Sequence, residues 1–277
     1  MPIAVTELSL VEQTALLTAS ARAVDYRSAA PILGDELSSR VVERIDYNFA
    51  GLRIPASVVR QTALRAKLID ERVRRFTAAH PDAVVVDLGA GLNEPLARVA
   101  PPAGVDWYSI DLPRIIELRA AVTAPGPGEH LLAADLTAPQ CCAAIPAGRP
   151  TVVMADGLFA FLSQPQTAAV FGQLIDHFGT GELIFNDYGR VGTLSSLSMK
   201  LAPSGMFSLL RHVWANPGFT DPHTVQRWDP RLRLVEEACL AHAAEVDGFP
   251  CLARTTTRLA GRFKAVAGKA RVLRYKF

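Results

Sequence analysis

The stretch Ala83-Val-Val-Val-Asp87-Leu-Gly89-Ala-Gly91 decides the fold of this 277-residue chain. It begins with β-branched residues, which are typical of a buried strand, and it ends in a glycine loop ahead of a helix expected at 93–99. Glycine permits a tight turn and a close approach of the backbone to a ligand. The order of strand, loop and helix therefore predicts a ligand site at the end of this strand.

Four more short apolar runs follow and alternate with helical patterns. The runs lie at 105–110, 130–134, 151–155 and 182–185, and the helices between them at 113–122 and 165–178. Such alternation indicates an α/β, Rossmann-like fold with a parallel sheet covered on both faces. Asp111, Asp135 and Asp156 come directly after three of the runs. Since the carboxyl ends of parallel strands share one edge, we expect these carboxylates to meet there.

The chain reads as one domain over residues 1–277. We expect an N-terminal helical extension at 1–82 and a ligand-binding core at 83–190. The periodic pattern is lost after the core, which predicts a lid or substrate insertion at 191–240. A C-terminal strand pair within 241–277 would complete a seven-stranded sheet.

Several boundaries outside the core can be predicted from the same patterns. Within the extension, helical spacing predicts helices at 7–30, 36–50 and 55–79. Near the C-terminus we expect a helix at 232–242 and strands at 243–246 and 270–275.

Composition narrows the class of protein. Hydrophobic residues make up 49% of the chain, enough for a sizeable core, and 29 basic residues nearly balance 27 acidic ones. That balance gives no reason to expect a nucleic-acid partner. The four cysteines lack metal-ligand spacing, so we expect free thiols and no metal. With neither a signal peptide nor an apolar run of about 18 residues, the expectation is a cytoplasmic protein outside the membrane.

Three kinds of ligand compete for the glycine loop. A dinucleotide fold prefers a third glycine where this chain has Glu94, and a carboxylate there would repel a pyrophosphate. A phosphate-binding lysine loop is absent from the sequence. S-adenosylmethionine carries a sulfonium, an ammonium and no phosphate, so it tolerates the acidic residues of this edge. The alternative is a glycine turn without a ligand.

The aspartates at the strand ends fit a nucleoside. Asp111 lies 24 residues after Asp87, and its carboxylate can accept hydrogen bonds from ribose hydroxyls. Asp135 and Leu136 are placed to meet an adenine edge, and Asp156 with Gly157 to lie near the methyl-transfer point. Helix caps or turns are the alternative roles of these residues.

Six segments of the chain resemble the leucine carboxyl methyltransferase family and its polyketide-modifying branch. They are found at 63–70, 85–96, 108–113, 156–162, 228–237 and 271–277. The resemblance spans about residues 10–277 and implies a class I S-adenosylmethionine-dependent methyltransferase fold. It also implies that Arg65 pairs with the methionine carboxylate. The cofactor-binding residues expected from sequence and resemblance together are Arg65, Gly89, Ala90, Gly91, Asp111, Leu112, Asp135, Leu136, Asp156 and Gly157.

The chain departs from the family pattern at two places. Asp156 stands where glutamate is usual, and we expect the shorter side chain to reach its partner through water. Asn93-Glu94-Pro95 replaces an Asp-x-Arg sequence after the second glycine, so no role is assigned to an arginine there.

The resemblance predicts O-methylation of a carboxyl or hydroxyl group on a small molecule such as a polyketide-like secondary metabolite. The alternatives are a protein C-terminal carboxyl methyltransferase and a non-catalytic regulatory protein that binds the cofactor. No catalytic residue is assigned. Candidate cations for an acidic substrate are Arg190, Lys200, Arg211 and His212. Candidate bases for a hydroxyl substrate are His177, His212 and His223. Candidate pocket aromatics are Phe159, Phe161, Phe207, Trp214 and Phe219.

Overall fold

A seven-stranded sheet forms the centre of the protein. The computed structural model describes residues 3–5, 7–189, 205–216, 218–268 and 270–277. The strands of the sheet are β1 (Val84–Leu88), β2 (Asp106–Asp111), β3 (Glu129–Ala133), β4 (Thr151–Ala155), β5 (Glu182–Asp187), β6 (Arg233–Cys239) and β7 (Arg271–Lys276). Their order across the sheet is β3-β2-β1-β4-β5-β7-β6. The first five are parallel, and β7 runs antiparallel to both of its neighbours.

Helices cover both faces of this sheet. The α-helices of the described residues are α1 (Gln13–Tyr26), α2 (Glu36–Arg44), α3 (Ala56–Ala79), α4 (Pro95–Val99), α5 (Pro113–Val122), α6 (Gln164–Phe178), α7 (Met206–Val213), α8 (Cys251–Gly261) and α9 (Lys264–Ala267). Short 3₁₀ turns lie at Phe49–Leu52, Pro222–Arg227, Leu240–His242 and Ala244–Gly248. No helix in the described ranges combines the length and apolarity needed to cross a membrane.

The alternation of side chains along β1 divides the core into two layers. Val84 and Val86 point to the layer that α6 covers, where Phe171 packs. Val85 points to the opposite layer and packs with Ile69 of α3. All of β1 is buried, so the run of β-branched residues is explained by burial on both faces. The predicted α/β fold with seven strands is confirmed.

The C-terminal prediction is partly wrong. Residues 232–242, predicted as a helix, contain the strand β6, and the predicted strand at 243–246 is replaced by a bend and the start of the 3₁₀ turn Ala244–Gly248. Side chains alternate in exposure along β6, and Val235 is 44% exposed, so the apparent helical spacing does not mark a buried helix face. The antiparallel pair itself exists, but its first strand lies inside the segment predicted as a lid.

The N-terminal helices are shorter than predicted. α1 begins at Gln13. α2 ends at Arg44, because the backbone becomes extended at the next residue, Ile45. Ile45–Asp46 then pairs in parallel with Ile3–Ala4, which burial of Ile45 favours. The predicted helix at 55–79 is confirmed as α3.

Candidate active site

One cavity of about 460 Å³ lies at the carboxyl ends of β1, β2 and β4. Its floor is the glycine loop after β1, and its walls come from α1, α3 and α7. Of the ten predicted cofactor-binding residues, the structure brings eight to its lining, namely Arg65, Gly89, Ala90, Gly91, Asp111, Leu112, Asp156 and Gly157. The predicted edge of the sheet is thus a concave site.

The glycine loop is shaped by its two glycines and by Asp111. Gly89 and Gly91 have φ of 64° and 56°, a left-handed conformation that side chains disfavour. The Gly91 N–H donates to Asp111 Oδ2 and the Leu112 N–H to Asp111 Oδ1, both at 2.7 Å. Burial raises the pKa of Asp111, while these two N–H groups oppose the rise. The carboxylate is therefore fixed at the cavity wall with further lone pairs available to a ligand.

Arg119 holds the far side of the loop. Its guanidinium donates to the carbonyl oxygens of Gly91 and Asn93 and pairs with Glu129 at 2.8 Å. It also pairs with Glu94 at 3.3 Å. Glu94 does not line the cavity, so its carboxylate is not placed to repel a pyrophosphate, contrary to the expectation from the sequence.

Asp156 is the centre of a charged cluster in the cavity wall. Its Oδ1 accepts a hydrogen bond of 2.6 Å from Arg65 Nε, and its Oδ2 lies 3.9 Å from Arg22 Nη1. Arg65 Nη1 donates to the hydroxyl of Tyr188. The contact between Arg65 and Asp156 is direct, so the expected bridging water is not needed. Close packing of Arg65 requires Gly157, because a Cβ there would lie 3.0 Å from Arg65 Nη2.

Arg22 is a site residue that the sequence did not reveal. It lies in the largely apolar helix α1, is 2% exposed and lines the cavity. Its Nε lies 3.4 Å from Asp35 Oδ2, which also accepts from Arg98 at 2.9 Å. Burial lowers the pKa of Arg22 to about 10, so it stays cationic at neutral pH. A charged residue in an apolar helix is a signal of a buried partner, but the partner is set by tertiary packing.

Four buried polar atoms of the cavity lining lack a hydrogen-bond partner within the described part of the chain. Three are acceptors, Asp87 Oδ2, Asn93 Oδ1 and Asp156 Oδ2, and one is a donor, Arg22 Nη2. Unpaired buried polar atoms cost roughly 1–3 kcal/mol each, so groups left this way in a cavity indicate a polar ligand.

Asp87 is the most perturbed of these acids. It is 1% exposed, and burial raises its pKa to about 8, although Arg119 opposes the rise. A cation in the cavity would stabilise the ionised form and lower this pKa.

Part of the cavity lining is apolar. Phe161, Phe207, Leu210 and Trp214 form this part, the last three from α7 and the residue after it. Three of the five predicted aromatics therefore line the cavity. The remaining two, Phe159 and Phe219, are packed in the core beneath it.

Two predicted cofactor contacts lie outside the cavity lining. Asp135 is exposed and accepts hydrogen bonds from the backbone and hydroxyl of Thr137, both at 2.8 Å. Leu136 is buried in the core. Both follow β3, an edge strand of the sheet, and the turn after it directs Asp135 to solvent.

The predicted basic candidates that lie within the described residues do not line the cavity. His177 contacts the carbonyl oxygen of Ile145 at 2.8 Å, and His223 contacts Gln226. Arg211 and His212 contact each other on the exposed side of α7. Arg190 and Lys200 lie outside the described residues.

Within the same ranges, no cluster of three or more His, Cys, Asp or Glu side chains could hold a metal ion. All four cysteines are described and free, and the Sγ atoms of Cys141 and Cys142 are 3.6 Å apart.

Residues 15–175 match the leucine carboxyl methyltransferase family. This chain belongs to that family. It is 32% identical over 232 residues to the tetracenomycin polyketide synthesis O-methyltransferase of Streptomyces glaucescens, covering 83% of both chains. It is 28% identical to an S-adenosyl-L-methionine-dependent methyltransferase of Gibberella zeae, covering 92% of this chain and 91% of that one.

A solved structure supports the fold. A protein from Thermobifida fusca, solved as a candidate methyltransferase, superposes with a TM-score of 0.56 at 17% identity and covers 92% of this chain and 93% of its own. The predictions of the family, of its polyketide branch and of a methyltransferase fold are confirmed.

Proposed function

We propose that this protein transfers the methyl group of S-adenosylmethionine to an oxygen of a small, largely apolar molecule, with a carboxylate of an aromatic polyketide-like compound as the first choice. The observation that carries the proposal is that one cavity combines unpaired polar atoms, three acceptors and a donor, with the apolar side chains of α7. The similarity to the Streptomyces glaucescens enzyme supports the choice of substrate class.

The unpaired atoms fit the amino-acid end of S-adenosylmethionine. Asp156 Oδ2 and Asp87 Oδ2 suit a cationic group, and Arg22 Nη2 suits a carboxylate. Arg65, which the resemblance pairs with the carboxylate, already contacts Asp156 and Tyr188. We therefore propose Arg22 as a second holder of that carboxylate, next to Arg65.

The glycine loop and Asp111 are proposed to hold the ribose. Two lone pairs of the Asp111 carboxylate are engaged by backbone N–H groups, which leaves the others for hydroxyl donors. Leu112 and Ile115 provide apolar surface beside it for the adenine. Contacts of Asp135 and Leu136 with the adenine stay a prediction.

The protein's own part in the reaction is to position the two reactants and to exclude water. When bound, S-adenosylmethionine supplies an electrophilic methyl carbon on a sulfonium. A carboxylate is ionised at neutral pH and has no proton to lose, so its esterification needs no general base. The apolar side chains of α7 shield the nucleophile from water and hold it close to the bound methyl donor. Holding two reactants in line accounts for much of the barrier reduction in such displacements.

The proposal is tested by methyl transfer from labelled S-adenosylmethionine. The acceptors are anthraquinone-2-carboxylic acid, 2-hydroxyanthraquinone and a peptide that ends in leucine. We expect label in the acid as a base-labile ester, or in the phenol as a base-stable ether. Transfer only to the peptide would favour a protein carboxyl methyltransferase. Cofactor binding without transfer to any acceptor would favour a regulatory protein.

A further inference from the structure

Tyr188 lines the cavity between Arg65 and Trp214. It follows β5 directly, and its ring centroid is 4.9 Å from that of Trp214. On the other side, the Arg65 guanidinium carbon is 5.5 Å from the ring centroid. The hydroxyl lies beside Gly157, since a Cβ on that glycine would be 3.9 Å from it. The phenol is thus next to the place where a donor and an acceptor molecule would meet.

The oxygen of this phenol accepts a hydrogen bond from Arg65 Nη1. A guanidinium can only donate, so this contact leaves the hydrogen of the Tyr188 hydroxyl unused. Because Tyr188 lines the cavity, that hydrogen can be offered to a ligand.

That hydrogen remains on the phenol at neutral pH. Burial raises the pKa of Tyr188 above its ordinary value, while the neighbouring Arg65 opposes the rise. Tyr188 therefore acts as a hydrogen-bond donor and not as a base. Since Tyr188 lines the cavity, an acceptor atom of a ligand bound there can receive this hydrogen bond.

We propose that the Tyr188 hydroxyl is a specificity-determining donor that holds the anionic oxygen of the methyl acceptor. The inference rests on the proposed function. In a carboxylate, one oxygen is held by Tyr188 while the other faces the methyl carbon. In a phenolate, the same hydrogen bond favours the ionised form. A neutral amine would have its lone pair occupied by this donor, so the site selects oxygen acids over amines.

The test is the Tyr188→Phe variant, which removes the hydroxyl and keeps the ring against Trp214. Anthraquinone-2-carboxylate is titrated into protein saturated with S-adenosylhomocysteine, and S-adenosylhomocysteine is titrated separately. We expect the acid to bind about 10- to 100-fold more weakly to the variant, the range for a hydrogen bond to a charged group. Affinity for S-adenosylhomocysteine should change by less than about threefold. Tyr108→Phe, the same change outside the cavity, should leave both affinities unaltered.

The outcomes separate this inference from the proposed function. Equal acid affinity in wild type and Tyr188→Phe would overturn the inference alone, as would equal losses of both ligands, which would indicate a structural role through Arg65. A wild type that binds S-adenosylhomocysteine but not the acid would also overturn it. A wild type that binds no S-adenosylhomocysteine would overturn the proposed function itself.

Discussion

Asp156 links the two halves of the candidate site through its two oxygens. One oxygen pairs with Arg65, which reaches on to Tyr188, and the other lies near Arg22 without a hydrogen-bond partner in the described chain. The side chain is one methylene shorter than the glutamate usual in the family, yet it contacts Arg65 directly. The Asp156 carboxylate therefore holds Arg65 in the cavity wall and also gives the cavity a negative charge.

Replacing Asp156 with asparagine should weaken binding of S-adenosylmethionine about 10- to 100-fold. The amide keeps the shape but removes the negative charge that a cationic ligand needs. Titration calorimetry measures the effect, and Asp156→Glu should recover most of the affinity. Asp176→Asn is the matched control, because Asp176 is exposed and pairs only with Arg231 among the contacts described. Equal affinities for wild type and Asp156→Asn would contradict the assignment.

Asp87 makes binding of S-adenosylmethionine depend on pH. Its pKa is raised to about 8 by burial, so it carries a proton at pH 6 to 7 in the free protein. A bound cation lowers the pKa, so the proton is released, and affinity should rise from pH 6 to 8. Binding enthalpies in phosphate and Tris buffers should differ by the heat of buffer protonation. In Asp87→Asn, the rise in affinity from pH 6 to 8 and the difference in binding enthalpy between the buffers should both disappear. If the variant retains them, another group releases the proton.

At the level of elements, β1 to β5 could be predicted because each is a short run of β-branched or apolar residues between helices. β6 could not, because its sequence does not alternate polar and apolar residues, and the strand is defined by its pairing with β7. The contribution of α1 to the site was also missed, since the ion pairs of Arg22 join residues far apart in sequence. Asp135 follows the edge strand β3 and lies outside the cavity lining, so its contact with the adenine stays a prediction.

The strand pair β6–β7 is anchored by Arg271. Its guanidinium is 3% exposed and contacts Asp187 at 2.9 Å, Glu237 at 2.6 Å and the Phe219 carbonyl oxygen at 2.6 Å. Arg271→Met leaves the buried carboxylate of Asp187 without its ion pair, so the free energy of unfolding should fall by about 3–5 kcal/mol.

Urea denaturation measures this loss, and Arg274→Met on the same strand is the control. Arg274 is 28% exposed, so losing its pairs with Glu182 and Glu236 should cost only about 1 kcal/mol. Similar losses for the two variants would show that burial of Arg271 is not what stabilises the strand pair.

For the whole molecule, the cavity joins the N-terminal helices to the sheet edge, so a ligand bound there contacts both. Filling it should stabilise the folded protein by mass action, by about 2.7 kcal/mol at a ligand concentration 100 times Kd. S-adenosylhomocysteine should therefore raise Tm by about 5–10 °C in a thermal unfolding scan. NADH at the same concentration should leave Tm unchanged. A rise with NADH alone would favour the dinucleotide interpretation of the glycine loop.

The most direct measurement is a calorimetric titration of the full chain with S-adenosylmethionine. The wild type should bind one equivalent per chain and saturate below about 1 mM. Asp111→Ala should abolish this binding while the variant keeps the circular dichroism spectrum of the wild type, because Asp111 is the proposed ribose contact. Absence of binding by the wild type at 1 mM would contradict the assignment of the cavity as a methyl-donor site.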